Sequence, residues 1–267
     1  MRVLFLGDIV GKAGRFAIQQ ELKKQILKNK IDFVIANGEN AADEGVGITK
    51  KNSESLFNSG VDVITTGNHV WDQKETADYI NTENRLLRPY NLIKPSPGNG
   101  FQVYKSNNGL KVGVINLMGN VFMRKTDDVF KTAKEISNKM KLTKDVDFLV
   151  VDFHGEITSE KMAAGHFFDG RATCVIGTHT HVPTADTRIL EGGTAYQTDI
   201  GMCGDYNSVI GMNKENSIKR FLKEKDAVSH YPAEGEGTLS GVIVETNSEN
   251  GLAKKITRLI YGGSLAN

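Results

Sequence analysis

The sequence predicts an α/β fold in which two mixed β-sheets pack as a sandwich with helices on the outside. Three observations carry this expectation. The first third alternates short apolar runs with helix-spaced segments. The middle and last thirds hold pairs of hairpin-like strands. No internal repeat, low-complexity tract or linker divides the chain. At 267 residues the chain is long enough for one large, well-buried core, and residues 1–267 are read as one domain.

Val3 to Leu6 is a short apolar run and reads as a buried strand. From Phe16 to Ile31, the apolar positions Phe16, Ile18, Leu22, Ile26 and Leu27 follow helical spacing. Asp32 to Ala36 is a second strand. Thr49 caps a helix that runs to Asn58 and is stopped by Gly60. Val61 to Thr65 is a third strand. This strand–helix–strand rhythm predicts a parallel sheet with right-handed crossovers. Pro89, Pro95, Pro97, Gly98 and Gly100 then mark an irregular connection. Phe101 to Tyr104 and Lys111 to Asn116 form a hairpin around Ser106-Asn107-Asn108-Gly109. The lysine-rich stretch Val129 to Leu142 reads as an exposed helix. Strands at Asp147 to Asp152 and Thr173 to Gly177 flank a helix near Ser159 to Phe168. Later strands are expected at Thr187 to Leu190, Thr194 to Gln197, Leu239 to Glu245 and Lys255 to Tyr261.

Composition narrows the classes of function. Hydrophobic residues make up 39% and charged residues 24%, ordinary for a soluble globular protein. With 33 basic and 32 acidic residues the formal net charge is +1, so no global field draws the chain to long nucleic acid or an anionic membrane. Any phosphate must be bound locally. The two cysteines, Cys174 and Cys203, are too few for a disulfide scaffold and imply a reducing compartment, hence a cytoplasmic protein. The apolar start stops at Gly7-Asp8, too short for a secretory signal, and no run approaches the roughly 20 apolar residues of a membrane span.

Five segments that each follow an apolar run carry metal-ligand residue types. They are Gly7-Asp8, Asn37-Gly38-Glu39-Asn40, Gly67-Asn68-His69, Asp152-Phe153-His154 and Gly177-Thr178-His179-Thr180-His181. Ligands in parallel α/β sheets converge at strand carboxyl ends, so these distant segments can share one crevice. Singly, each has a bland reading: Asp8 and Asn68 suit turns, and a lone His-x-His suits a polar strand end. Their coincidence in five consecutive strand ends favours a metal site. One Asp, one Glu, one Asn and three His form a mixed N/O set, too large for one tetrahedral zinc. Two ions about 3.5–4 Å apart can clamp an in-line displacement at phosphorus. In an extended segment His179 and His181 would point the same way and reach neighbouring ions. The expected chemistry is dinuclear metal hydrolysis of a phosphate ester.

The order of these segments resembles the calcineurin-like metallophosphoesterase superfamily from Asp8 to His181. Two departures stand out: Val10 replaces the His of the first motif, and Glu39 replaces the bridging Asp. Together with Asn37 to Ala42, Gly177 to Val182 and Thr198-Asp199-Ile200-Gly201-Met202, they resemble the bacterial YmdB-like branch nearly end to end. That resemblance implies a four-layer fold. It implies one ion on Asp8, Glu39 and His181 with Asn40 beside it, and a second on Glu39, Asn68, His154 and His179. It implies two divalent ions per chain, iron first, with manganese or zinc as alternatives. The implied activity is a phosphodiesterase for small diesters such as 2′,3′-cyclic nucleotides, using a metal-bridging hydroxide.

His69 is the candidate catalytic acid, because it adjoins Asn68 and histidine titrates near neutral pH. Asp72 is either the carboxylate that orients its ring or a helix N-cap. Gly7 to Lys12 is not a P-loop: only three residues separate the glycines and Ala13 follows the lysine. Ser159 and Ser208 lack the glycine context of a nucleophile elbow. Trp71 and Phe153 sit beside candidate ligands, and core packing is a plainer role for them than stacking on a base. The Asp199 to Asp205 loop is assigned no chemistry, and His230 reads as a solvated loop residue. Two alternatives share the site: a phosphomonoesterase or protein phosphatase, and a metal-containing nucleotide-binding regulator. The expected partner is a small phosphodiester, with homo-oligomerisation left open as a base rate.

Overall fold

The structure, a computed structural model, describes residues 1–265. In chain order its elements are β1 (Arg2–Leu6), β2 (Asp8–Ile9), α1 (Gly11–Asn29), β3 (Phe33–Asn37), α2 (Lys50–Ser59), β4 (Val63–Thr65) and α3 (Thr76–Tyr79). There follow β5 (Phe101–Lys105), β6 (Lys111–Met118), α4 (Val129–Lys139), β7 (Phe148–His154), α5 (Thr158–Phe168) and β8 (Cys174–Thr178). The remainder is β9 (Arg188–Ile189), β10 (Ala195–Gln197), β11 (Met202–Cys203), α6 (Lys214–Phe221), β12 (Leu239–Thr246) and β13 (Ala253–Tyr261).

Two mixed sheets form as expected. One has the order β13-β12-β1-β3-β4, the other β5-β6-β7-β8-β10-β9. In the first, β1, β3 and β4 run parallel, while β12 returns antiparallel against β1. In the second, β6, β7, β8 and β10 run parallel, with β5 and β9 antiparallel at the edges. Strand alternation divides the apolar residues between three layers of core. Val3, Phe5, Phe33 and Ile35 meet Val112, Val114, Phe148 and Val150 between the sheets. Leu4, Leu6, Val34 and Ala36 face the other way, against Ile18 and Leu22 of α1 and Leu56 of α2. On the far side, Leu149, Val151 and Val175 pack under Ala133 and Ile136 of α4 and Ala164 and Phe168 of α5. The result is four layers, helix–sheet–sheet–helix.

Helix α2 follows its sequence signals closely. Thr49 accepts from Asn52 N–H at 3.1 Å, and Gly60 ends the helix at φ 110°. Helix α1 does not. It starts at Gly11, and its buried face is Ala13, Gly14, Ala17, Ile18, Leu22 and Gln25. Phe16 and Leu27 point to solvent, because the small residues, not the large ones, approach the strand below. Three further elements escaped the sequence reading: the β2–β11 ribbon, the short α3 and α6. The ribbon matters most for the site. Asp8 N–H donates to Gly201 O at 3.1 Å, which fixes the backbone of Asp8 immediately beyond β1.

Candidate metal centre

The carboxyl ends of β3, β4, β7 and β8 open on one crevice between the sheets, and it gathers the predicted residues. Glu39 lies two residues beyond β3, where Asn37 Oδ1 accepts from Glu39 N–H at 3.1 Å and folds the turn back. Gly67 and Asn68 follow β4. His154 is the last residue of β7, and His179 is the first beyond β8.

Their donor atoms converge. His154 Nε2 stands 3.0 Å from Glu39 Oε1, 3.0 Å from Asn68 Oδ1 and 3.1 Å from His179 Nδ1. An imidazole nitrogen offers one hydrogen or one lone pair, so it cannot bond three partners. Ligand atoms each ~2.1 Å from a common ion stand about 3.0–3.4 Å apart, which is the spacing seen here. Glu39, His154 and His179 alone already form a group able to hold a metal ion. Gly67 is required by this crowding: a Cβ there would lie 2.2 Å from the His154 ring and 2.4 Å from Glu39 Oε2.

The hydrogen-bond pattern around His154 fixes its tautomer. Thr178 Oγ1 donates to Asp152 Oδ1 at 2.7 Å, so it is left to accept from His154 Nδ1–H at 2.9 Å. The lone pair then sits on Nε2 and faces the convergence. Asn37 Nδ2 donates to the other Asp152 oxygen at 3.1 Å. His179 is held from behind by Glu156, with Nε2 and Oε2 3.0 Å apart.

A second cluster lies beside Glu39. His181 Nε2 is 3.1 Å from the Asn40 amide nitrogen, which in turn is 3.4 Å from Glu39 Oε1. His181 Nδ1–H donates to Ile210 O at 2.8 Å, again leaving Nε2 free to ligate. Asp8 is fully buried. Its Oδ2 accepts from His179 N–H at 3.0 Å, while Oδ1 has no hydrogen-bond partner among the described residues. An orphaned carboxylate oxygen in the interior calls for a cation.

Against its burial, the Glu39, Asp8 and Asp152 carboxylates hold the His154 imidazole up at about 9, the place that a bound cation would otherwise fill as their counter-charge. Burial pushes the Asp8 carboxyl up to about 7, against the pull of His181 and His154. Burial would raise Glu39 too, but His154, His69 and His179 hold it down at about 2. Burial and the neighbouring His154 lower His179 to about 3. A cavity of about 480 Å³ opens on the cluster, and among the described residues its lining contains Glu39 and Glu156 but no Lys or Arg. Bound cations would supply there the positive charge that an anionic ester needs.

The residues present therefore fit divalent metal ions. All seven predicted ligands, Asp8, Glu39, Asn40, Asn68, His154, His179 and His181, lie in this crevice. One expectation about them is corrected. His179 and His181 do not alternate along a strand, since β8 ends at Thr178 and both have positive φ, 101° and 65°. They reach different clusters because the loop turns sharply between them, at a strain of roughly 1–3 kcal/mol each. Asp199 Oδ2 holds that loop by accepting from Thr180 N–H at 3.0 Å.

His69 lines the same cavity, and its Nδ1 lies 2.6 Å from Asp72 Oδ2. Asp72 is not a helix cap: Glu75 precedes α3, and Asp72 pairs instead with Arg124 at 2.9 Å. Phe153 is a core residue, and Trp71, partly buried, packs against the core, as expected. The supporting residues Asp152, Glu156, Arg124, Lys161 and Asp199 were missed. Asp152 had a local signal, being two residues from His154 and so on the same face of β7, and Asp199 lay in a segment that carries the family resemblance.

Fold and site together define a phosphoric ester hydrolase of the metallophosphoesterase fold, with a place for divalent metal. Residues 4–259 match the family described as YmdB-like protein, and the chain belongs to it. It is 46% identical over 260 residues to the 2′,3′-cyclic-nucleotide 2′-phosphodiesterase of Bacillus subtilis (strain 168), covering 97% of each chain. Among solved structures, one described as a novel phosphatase from Mycoplasma pneumoniae superposes with a TM-score of 0.89 at 40% identity, covering 98% of this chain and 93% of that one. A hypothetical protein from Thermus thermophilus gives a TM-score of 0.90 at 37% identity, covering 99% of this chain and 100% of that one.

Proposed function

We propose that the protein opens 2′,3′-cyclic nucleotides at the 2′ ester with two divalent ions, iron foremost. The observation that carries this reading is the meeting of Glu39, Asn68, His154 and His179 around one point in a cavity without Lys or Arg among the described residues. Glu39, Asn68, His154 and His179 would hold one ion, and Asp8, Glu39, Asn40 and His181 the other. When bound, the ions supply Lewis-acid stabilisation of the phosphoryl charge.

The chain's own residues supply the rest. Water adds its hydroxyl to phosphorus, the bond from phosphorus to the 2′-oxygen breaks, and that oxygen takes a proton. His69 is the donor. Asp72 engages Nδ1, so Nε2 is the ring nitrogen left for the leaving oxygen. Arg124 anchors Asp72 through both carboxylate oxygens, at 2.9 and 3.3 Å. A protein that only bound nucleotides would not need this chain of three, which favours an enzyme over a regulator. No described helix is long and apolar enough to cross a membrane.

The test is hydrolysis of a 2′,3′-cyclic nucleotide by anaerobically purified protein, with metal measured on the same sample. Turnover with about two Fe per chain is expected; metal without turnover would mean a different ester or a binding role. His69→Ala should slow a cyclic nucleotide roughly 10²–10⁴-fold, while an ester with a p-nitrophenolate leaving group, which needs no proton, is nearly unaffected. Equal losses on both esters would remove His69 from the acid role.

A further inference from the structure

The cavity has two unlike sides. One is the ligand cluster with His69. The other is apolar, formed by Val46, Val209, Ile210, Met212 and Phe221. Phe221 is 80% exposed and Ile210 52% exposed, so these large side chains face open space beside the metal centre rather than the core. We propose that this wall is a nucleobase subsite, with Phe221 as the stacking surface; the proposal rests on the cyclic-nucleotide reading above and adds how the base is held.

Four observations support it. First, the wall and the candidate ligands are one piece of structure, since Ile210 O is the acceptor that orients His181. A group seated on Ile210 is therefore next to the reacting phosphate. Second, Ile210 has φ 48°, a conformation that a β-branched residue adopts only when its surroundings impose it. That conformation sends the carbonyl to His181 while the side chain lines the cavity.

Third, the helix that carries the ring is tied down. Phe221 ends α6, whose Asn213 cap accepts from Asn216 N–H at 2.9 Å. Asn216 then clamps the following loop, accepting from Val228 N–H at 3.0 Å and donating to Ser229 O at 3.2 Å. His230, the next residue of that loop, also lines the cavity. Fourth, size and chemistry match. About 480 Å³ exceeds what a phosphate needs and falls within the range of small-molecule sites. Beyond its phosphate, a cyclic nucleotide offers a ribose and a flat π-face. Stacking on an aromatic ring is tolerant of base identity, so purines should bind better than pyrimidines only through their larger face.

The test is calorimetric binding of adenosine 3′-monophosphate, which remains when the 2′ ester is cut, against inorganic phosphate, using the protein as purified with its metal. The nucleotide should bind at least tenfold more tightly than phosphate. Phe221→Ala should remove most of that difference and leave phosphate affinity unchanged, and Phe221→Trp should restore it. Equal affinity of the wild type for the two probes would overturn the subsite, as would a Phe221→Ala loss shared equally by both. The catalytic reading stands or falls separately. Base-dependent binding without cyclic-nucleotide hydrolysis keeps the subsite and sinks that reading, and hydrolysis without base-dependent binding does the reverse.

Discussion

Glu39→Gln is expected to leave a folded protein that has lost its metal and more than about 100-fold of its turnover, the upper loss seen when even a supporting partner of a ligand is removed. Glu39 touches both clusters through one oxygen: its Oε1 meets His154 at 3.0 Å and the Asn40 amide at 3.4 Å. Its Oε2 accepts from His69 N–H at 3.1 Å, which ties the proposed acid to the same carboxylate. The amide of glutamine has the same shape and keeps one carbonyl oxygen for that bond. It loses the negative charge that would hold divalent metal there.

The measurement is metal content together with the thermal midpoint, with and without added divalent metal. A ligand that binds only the native state stabilises it by about 2.7 kcal/mol at 100 times its dissociation constant. The wild type should therefore melt higher when metal is added, and Glu39→Gln should not. A variant that kept its full metal complement and lost only turnover would show that Glu39 acts on the substrate rather than on the ions.

Much of this site was legible in the sequence, for a topological reason. In parallel α/β structure the strands end on one side, so a ligand-type residue just beyond an apolar run carries positional information. Asp8, Glu39, Asn68, His154 and His179 all declared themselves that way. What held them in place did not. Lys161 and Asp199 are 38 residues apart, and a lysine in a helix ordinarily reads as solvated. Asp72 and Arg124 meet across 52 residues. Helix α6 was missed because its sequence, Lys214 to Phe221, is mostly polar and its large apolar residues Ile218 and Phe221 are exposed. The face of α1 was legible in part: Ile18, Leu22 and Ile26 pack inward as spaced, while Phe16 and Leu27 turn to solvent and Ala13, Gly14 and Ala17 make the close approach. Local pattern finds what lies at strand ends. It does not find bonds that exist only once the chain is folded.

Lys161→Met is expected to be strongly destabilising although Lys161 is not a ligand. Lys161 projects from α5 into the interior, where its Nζ donates to Asp199 Oδ2 at 2.7 Å, and both side chains are only 1% exposed. Asp199 is the hub of the histidine loop. The same Oδ2 accepts from Thr180 N–H, between His179 and His181, and Oδ1 accepts from Gly201 N–H at 2.8 Å. Methionine fills the volume of the lysine stem but leaves the Asp199 charge buried without its cation. Breaking a buried pair in this way costs about 3–5 kcal/mol, a large share of the roughly 5–15 kcal/mol that holds a native protein together. For a chain of this size that lowers the thermal midpoint by about 10 °C. Metal affinity should fall with it, by roughly 10–100-fold, because the loop that aims two histidines has lost its anchor. The double change Lys161→Met with Asp199→Asn separates charge from packing. Removing the stranded carboxylate should restore part of the stability, since the amide oxygen still accepts from the backbone. If the double variant melts no higher than Lys161→Met alone, the damage comes from packing around the α5 side chain, and the ion pair is not what keeps the histidine loop in place.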